Sequence, residues 1–210
     1  MVNKIINERK CCAVLTLALL TLAGCLHGNG KIPVETVTVS DYIFTETSAG
    51  PFRLGDPLPG ASSTCPYEVK KMSRTRMVEG TFEETVYWVY EDGELLMEIL
   101  PSYDHKIERY VDLIGEIMII SERFRTEEGI GVSSTIGEFL SSYPEYRLWY
   151  TYVSDRYVIQ PEGSSFQFLL CGQDFSGFPD SSGDMTEMDI SGFKEDAAVQ
   201  SIRLFRLTCE

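Results

Sequence analysis

Residues 82–90 read FEETVYWVY and residues 95–100 read LLMEIL, with the turn Glu91-Asp92-Gly93-Glu94 between them. β-Branched and aromatic side chains fit a pleated surface, and an Asp-Gly pair supplies the two left-handed positions of a tight hairpin turn. This stretch therefore commits the chain to antiparallel strand pairing. Further strand signals recur at hairpin spacing. Residues 114–120 form a near-continuous apolar run, consistent with a buried strand. Residues 146–153 and 156–160 flank Ser154-Asp155 as a second hairpin. Residues 165–170 follow the turn Pro161-Glu162-Gly163, and residues 199–207 close the chain.

Helical signals are few. From Thr135 to about Tyr143, Ile136, Phe139 and Leu140 make an apolar stripe, with Ser134 or Thr135 able to cap it. Glu138 completes a Thr-x-x-Glu capping box, Pro144 stops the helix and Gly137 weakens it. A faint internal repeat sets Phe52-Arg53-Leu54-Gly55-Asp56-Pro57-Leu58 against Ile130-Gly131-Val132-Ser133-Ser134-Thr135-Ile136. In each, apolar alternation runs through a small residue into a helix-capping residue. The expected fold is α+β: mainly antiparallel sheet with one or two short helices, arranged as two similar β-rich lobes over residues 42–124 and 125–210.

The N-terminus has a different character. Lys4, Arg9 and Lys10 stand against a single acid, Glu8, before the apolar run of residues 11–22. A helix spanning the hydrocarbon core needs about 20 apolar residues, so this run is short for a permanent span and has the length of a secretory signal. It ends in Leu22-Ala23-Gly24-Cys25, which resembles the bacterial lipobox: a branched apolar residue, two small residues and a cysteine. The resemblance implies a signal peptide over residues 1–24 and diacylglyceryl and acyl (palmitate) chains on Cys25. At about 0.8 kcal/mol per buried methylene, two or three chains hold a protein firmly to a membrane where one does not. The competing reading is an ordinary secretory signal with a chance cysteine. Residues 25–41 lack a helical stripe and read as a lipidated tether, extended near residues 34–39. Leu26, and not aspartate, follows the cysteine, which leans towards the outer membrane or the cell surface in place of inner-membrane retention.

Charge narrows the partners. The chain carries 18 basic and 32 acidic side chains, a net charge of −14; removing residues 1–24 leaves 15 and 31, or −16. Such a domain repels phosphate backbones, so nucleic acid is not an expected partner. With Cys11 and Cys12 in the signal and Cys25 on lipid, Cys65, Cys171 and Cys209 remain. An odd number allows at most one disulfide, for which Cys171 and Cys209 are the favoured pair, with all three thiols reduced as the alternative.

The stretch Arg125-Thr126-Glu127-Glu128-Gly129-Ile130-Gly131-Val132-Ser133-Ser134-Thr135-Ile136-Gly137-Glu138-Phe139 resembles the T-x-x-G-I-x-V-G-S-T-L-x-E segment of uncharacterised bacterial envelope lipoproteins. GPFRLG at residues 50–55 is similar to the entry strand of the same group. Some such proteins have architectures like the SmpA/OmlA assembly lipoproteins or the β-lactamase inhibitor protein, with helical elements packed on an antiparallel sheet. The motif implies a strand-to-helix turn and no chemistry. Ser133 stands where the group has glycine, which puts in question any need for positive φ there.

Catalytic signals are sparse. The two histidines are His27, in the tether, and His105, in a polar loop. No Gly-x-Ser-x-Gly, Cys-x-x-Cys, Walker or dinucleotide pattern accompanies them, so no catalytic residues, cofactor or zinc site are expected. Asp180, Asp184, Glu187 and Asp189 concentrate oxygen ligands as calcium loops do, but without the EF-hand glycine and terminal acid, and an acidic surface hairpin explains them as well. Trp149, Tyr150 and Tyr152 are the candidate partner face, with core packing as the plainer reading. The expected role is a membrane-anchored, non-enzymatic module that binds another envelope protein. The alternative is a periplasmic or surface hydrolase using carboxylates or calcium.

Overall fold

The computed structural model describes residues 42–60, 66–77, 81–177, 179 and 184–206. The signal segment, Cys25, the tether, Cys65 and Cys209 therefore lie outside the described residues. Among those described, no helix is long and apolar enough to cross a membrane.

Among the described residues, eleven strands run in chain order. A two-residue pair, β1 (Ser48–Ala49) and β2 (Phe52–Arg53), precedes β3 (Glu68–Met77), β4 (Thr81–Glu91), β5 (Glu94–Asp104) and β6 (Arg109–Ile119). The helix α1 (Ile136–Ser142) then leads to β7 (Tyr146–Thr151), β8 (Arg156–Pro161), β9 (Gln167–Leu170), β10 (Met185–Glu187) and β11 (Val199–Phe205). Nine of these strands form one antiparallel sheet in the order β10-β7-β8-β9-β11-β6-β5-β4-β3. The fold is α+β and mostly sheet, as the sequence pattern requires.

Local chemistry explains the hairpins. Asp92 and Gly93 both have positive φ, 51° and 82°, the geometry of a type I′ turn whose twist matches the strands it joins. Pro101 interrupts β5. Its missing N–H ends the β4–β5 ladder, whose pairing stops at Tyr87↔Ile99, and the β5–β6 register shifts on both sides of it. Residues 112–113 bulge from β6, and residues 55–58 fill the gap: Gly55 N–H donates to Ile114 O and Ile114 N–H to Asp56 O, each at 2.8 Å. The second short helix expected after Asp56 is accordingly absent. Pro57, Pro59 and Gly60 cannot sustain it, and Pro57 bridges Leu113 instead.

The two stretches expected as lobes share one sheet. β3–β6 and β7–β9 are two meanders, and β11 lies between β9 and β6 to join them. One face of the sheet carries the main core, from Phe44 through Ile117, Phe139 and Phe168 to Leu204. Phe168 is fully buried among Phe44, Phe139 and Phe166, whose ring centroids stand 6.2, 5.2 and 5.5 Å away.

The motif before α1 is a hydrogen-bonded knot. Thr126, buried, accepts from Ile130 N–H through its hydroxyl and donates its own N–H to Ile130 O. Ser134, also buried, accepts from Gly131 N–H at 3.1 Å and from Arg125 Nη1 at 2.9 Å. Thr135 is the N-cap, with both bonds of the capping box formed. Ser133 has φ of 67°, so the backbone is left-handed here although the residue is not glycine. Its N–H donates to Val199 O at 2.8 Å, and Val199 N–H returns to Ser134 O at 2.9 Å, so the knot clasps the first residue of β11.

Gly131 in the knot and Gly137 in α1 should respond oppositely to alanine. A Cβ on Gly131 would stand 2.2 Å from the Phe124 carbonyl oxygen, whereas one on Gly137 meets nothing nearer than 3.9 Å. Gly131→Ala should destabilise by about 1–3 kcal/mol or more through forced backbone shifts. Gly137→Ala should stabilise by about 0.5–1 kcal/mol through helix propensity. Urea denaturation of both variants checks the sign.

Candidate functional site

The face of the sheet opposite the main core holds the site. Side chains alternate across each strand, so residues that oppose Ile99, Ile117 and Ile202 within their strands project here. Met118, Trp149, Val158 and Leu169 form a second buried apolar cluster, with Ile120 against its margin. Their cross-strand register is direct: Trp149↔Val158 and Val158↔Leu169.

Around this floor runs a groove of about 390 Å³. Arg74 on β3 and Met185 on β10 both line it, although these strands are the opposite edges of the sheet. The sheet therefore curls strongly enough for its two margins to border one concavity. Among the described residues, every side chain lining the groove comes from the sheet itself or from the turn at residues 152–155.

Charged groups on this face are arranged as cross-strand pairs. Arg74 reaches Glu84 on β4 at 2.7 Å and Glu98 on β5 at 2.6 Å. Glu98 also accepts from Trp88 Nε1 at 3.0 Å. Partial burial pulls the Arg74 guanidinium down, but the hydrogen bonds to Glu84 and Glu98 outweigh it and hold the group above its ordinary value. Further along, Arg203 on β11 pairs with Glu116 on β6 at 2.7 Å. Val153 and Met185 stand at the rim, 55% and 54% exposed. Both tryptophans of the chain thus belong to this face, one in the floor and one beside the charge network. The groove offers apolar contact within a neutralised polar frame, suited to binding a surface. Among the described residues, its lining includes no histidine or cysteine.

β7 separates the aromatic residues expected to form a partner face. Trp149 lies in the groove floor, whereas Tyr150 and Tyr152 point to the main-core side, 4.7 Å apart between centroids. Tyr150 donates to Asp155 Oδ1 at 2.5 Å, and this bond, with burial, pushes its phenol up to about 12. Tyr152 donates to Pro179 O at 3.0 Å. These are packing roles.

The acidic loop does not converge. Glu187 is exposed on β10 and 3.5 Å from Arg147, while Asp189 accepts from Ser191 N–H and is held below the usual carboxylate range by it. Asp184 is exposed, and Asp180 lies outside the described residues. Among the described residues, no group of three His, Cys, Asp or Glu is placed to hold a metal. Cys171, half-buried at the end of β9, is a free cysteine, and its expected partner Cys209 lies outside the described residues. His105 packs edge-on against Tyr103 at the tip of the β5–β6 hairpin, 5.0 Å between centroids.

Sequence reading missed Arg74, Glu84, Trp88, Glu98, Glu116 and Arg203. The available signal was their period of two opposite buried isoleucines, but the pairing depends on a strand order that local patterns do not carry.

No protein-family model matches the chain, and no curated protein sequence matches it. Among solved structures, the uncharacterized protein YfeY from Escherichia coli is similar over 77% of this chain and 97% of that one, with 13% sequence identity and a TM-score of 0.48.

Glu98 is the centre of the charge network. Glu98→Ala leaves Arg74 and the Trp88 indole without their shared acceptor, and should cost about 1–2 kcal/mol after allowing for solvent access. Tryptophan fluorescence should change in the folded variant; an unaltered spectrum and unaltered stability would show that the network contributes nothing.

Proposed function

We propose that this protein is a lipid-anchored module of the bacterial envelope that binds another envelope protein through the open face of its sheet and performs no catalysis of its own. The observation that carries the reading is the groove across that face. A sheet face this rich in apolar side chains, with Trp149 in its floor and exposed Val153 and Met185 at its rim, matches the buried-anchor, polar-rim pattern of protein interfaces. The paired arginines and glutamates leave the groove with little net charge to attract nucleic acid or an anionic headgroup. The Leu22-Ala23-Gly24-Cys25 motif supplies the anchor. Between it and Tyr42, a tether of residues 25–41 allows an extended reach of at most about 60 Å from the lipid. The module therefore works near a membrane surface, and Leu26 after the cysteine favours the outer membrane.

Two arms test the reading. In cells, Cys25→Ala or globomycin should leave precursor-sized protein without incorporated palmitate, and normal processing of the variant would contradict the anchor. A photo-reactive amino acid at Met185 should cross-link one envelope protein in stoichiometric yield, and the same group at His105, on the far hairpin tip, should not. Equal yields at both positions would contradict a binding role for the groove.

A further inference from the structure

The two edges of the nine-stranded sheet are protected unequally. β10, at one edge, is three residues long. β3, at the other, is ten residues long and pairs with β4 in unbroken register from Glu68↔Tyr90 to Met77↔Thr81. It has no bulge and no proline, and among the described residues no strand pairs with its outer side. Such an edge presents a row of backbone donors and acceptors that an extended chain can complete.

Charge decides which chain. The protein as a whole carries −14, yet β3, EVKKMSRTRM, sets Lys70, Lys71, Arg74 and Arg76 against the single acid Glu68. Lys70 and Arg74 project to the groove side, while Lys71 lies on the other side with its ammonium 5.7 Å from the centre of the Tyr87 ring. An added strand would meet positive charge on both of its faces. Among the described residues, Lys70 pairs with Glu68 at 3.3 Å, both about half exposed, and stands 4.6 Å from the centre of the Tyr90 ring; the exposed ion pair has little energetic weight, and a partner's carboxylate can replace it. A second copy of this chain is disfavoured, because pairing β3 with β3 sets lysine and arginine against their like.

We propose that the outer edge of β3 is a strand-addition site for an extended acidic segment of a partner polypeptide. The main-chain ladder supplies the affinity, and Lys70 on one face and Lys71 on the other each select a carboxylate. Because Arg74 also lines the groove, the added strand would extend the same open face. The inference deepens the binding-module reading and rests on it only for the existence of a partner. Peptide addition at the edge and cross-linking at the groove rim can fail independently.

The test uses the full chain purified in detergent and a blocked eight-residue peptide of valine and threonine with glutamates at adjacent positions, so that both faces carry a carboxylate, with a lysine-for-glutamate peptide as its counterpart. The acidic peptide should bind and should slow amide exchange along β3. Its affinity should fall about tenfold in the double variant Lys70→Glu/Lys71→Glu, and in the unmodified protein it should weaken with added salt. Both lysines are exposed, so folding should be unaffected, and the salt series needs no variant at all. Absence of binding, equal affinity for the basic peptide, or protection confined to other strands would overturn the proposal. A dimer that already protects the β3 amides would give the edge to a second copy. A tenfold gain in peptide affinity on deleting residues 26–41 would give it to the chain's own tether. Either result overturns the proposal.

Discussion

The pairing of β11 on both its sides is the interaction from which the rest of the molecule follows. The strand takes Phe168 and Leu169 of β9 on one side and Ile117, Met118 and Ile119 of β6 on the other. Without it, two antiparallel meanders would each expose an edge and half a core. With it, Ile202 and Leu204 are fully buried and one apolar cluster runs from Phe44 to the chain's last described strand. Pairing this distant in sequence costs loop-closure entropy before it returns any contact energy, so the strand must be held by more than its own ladder. The knot at residues 126–135 provides that hold by bonding to both backbone groups of Val199. The segment before α1 thereby acquires a physical meaning. Its glycines, threonines and serines make a compact hydrogen-bonded clasp on β11.

The same joining creates the open face. Once β11 unites the meanders, the outward side chains of both fall on one curled surface. The apolar cluster of Met118, Trp149, Val158 and Leu169 draws on β6, β7, β8 and β9, so neither meander contains it alone. The ion pair of Arg203 with Glu116 crosses the junction itself. At the beginning of the described chain, Tyr42 is fixed by a second polar cluster. Its hydroxyl donates to the buried Glu91, which also pairs with Arg123 at 2.5 Å, and the Arg123 guanidinium lies 3.9 Å from the centre of the Tyr42 ring. A buried carboxylate is tolerated only with such partners. The cluster sits at the Asp92-Gly93 end of β5, whereas His105 and Tyr110 sit at the other end of that strand.

Much of this was legible in the sequence, for local reasons. The Asp92-Gly93 turn, the second hairpin around Asp155, the capping box at Thr135 and Glu138, and the closing strand all depend on neighbours within a few residues. β3 was not legible: EVKKMSRTRM has one buried apolar side chain, Val69, among residues 68–75, and an edge strand needs no apolar alternation. Ser133 was harder to read, because a serine at this position put the need for positive φ in question, yet its φ is 67°. The backbone is held left-handed by the Val199 contact, and a short polar side chain tolerates it. The two-lobe expectation followed from reading each meander as self-sufficient. What separates two lobes from one sheet is the destination of the last seven-residue strand, a long-range fact with no local signature. The partner face suffered likewise, since alternation along β7 shows that Trp149 and Tyr150 diverge but not which side is covered.

Native-state hydrogen exchange of the intact protein under increasing denaturant tests the central role of β11 most directly. If the strand fuses the meanders, amides of β6, β9 and β11 should exchange through one opening of the same free energy and the same denaturant dependence. Two separate openings, one confined to residues 42–124 and one to residues 125–210, would contradict it and restore two independent lobes.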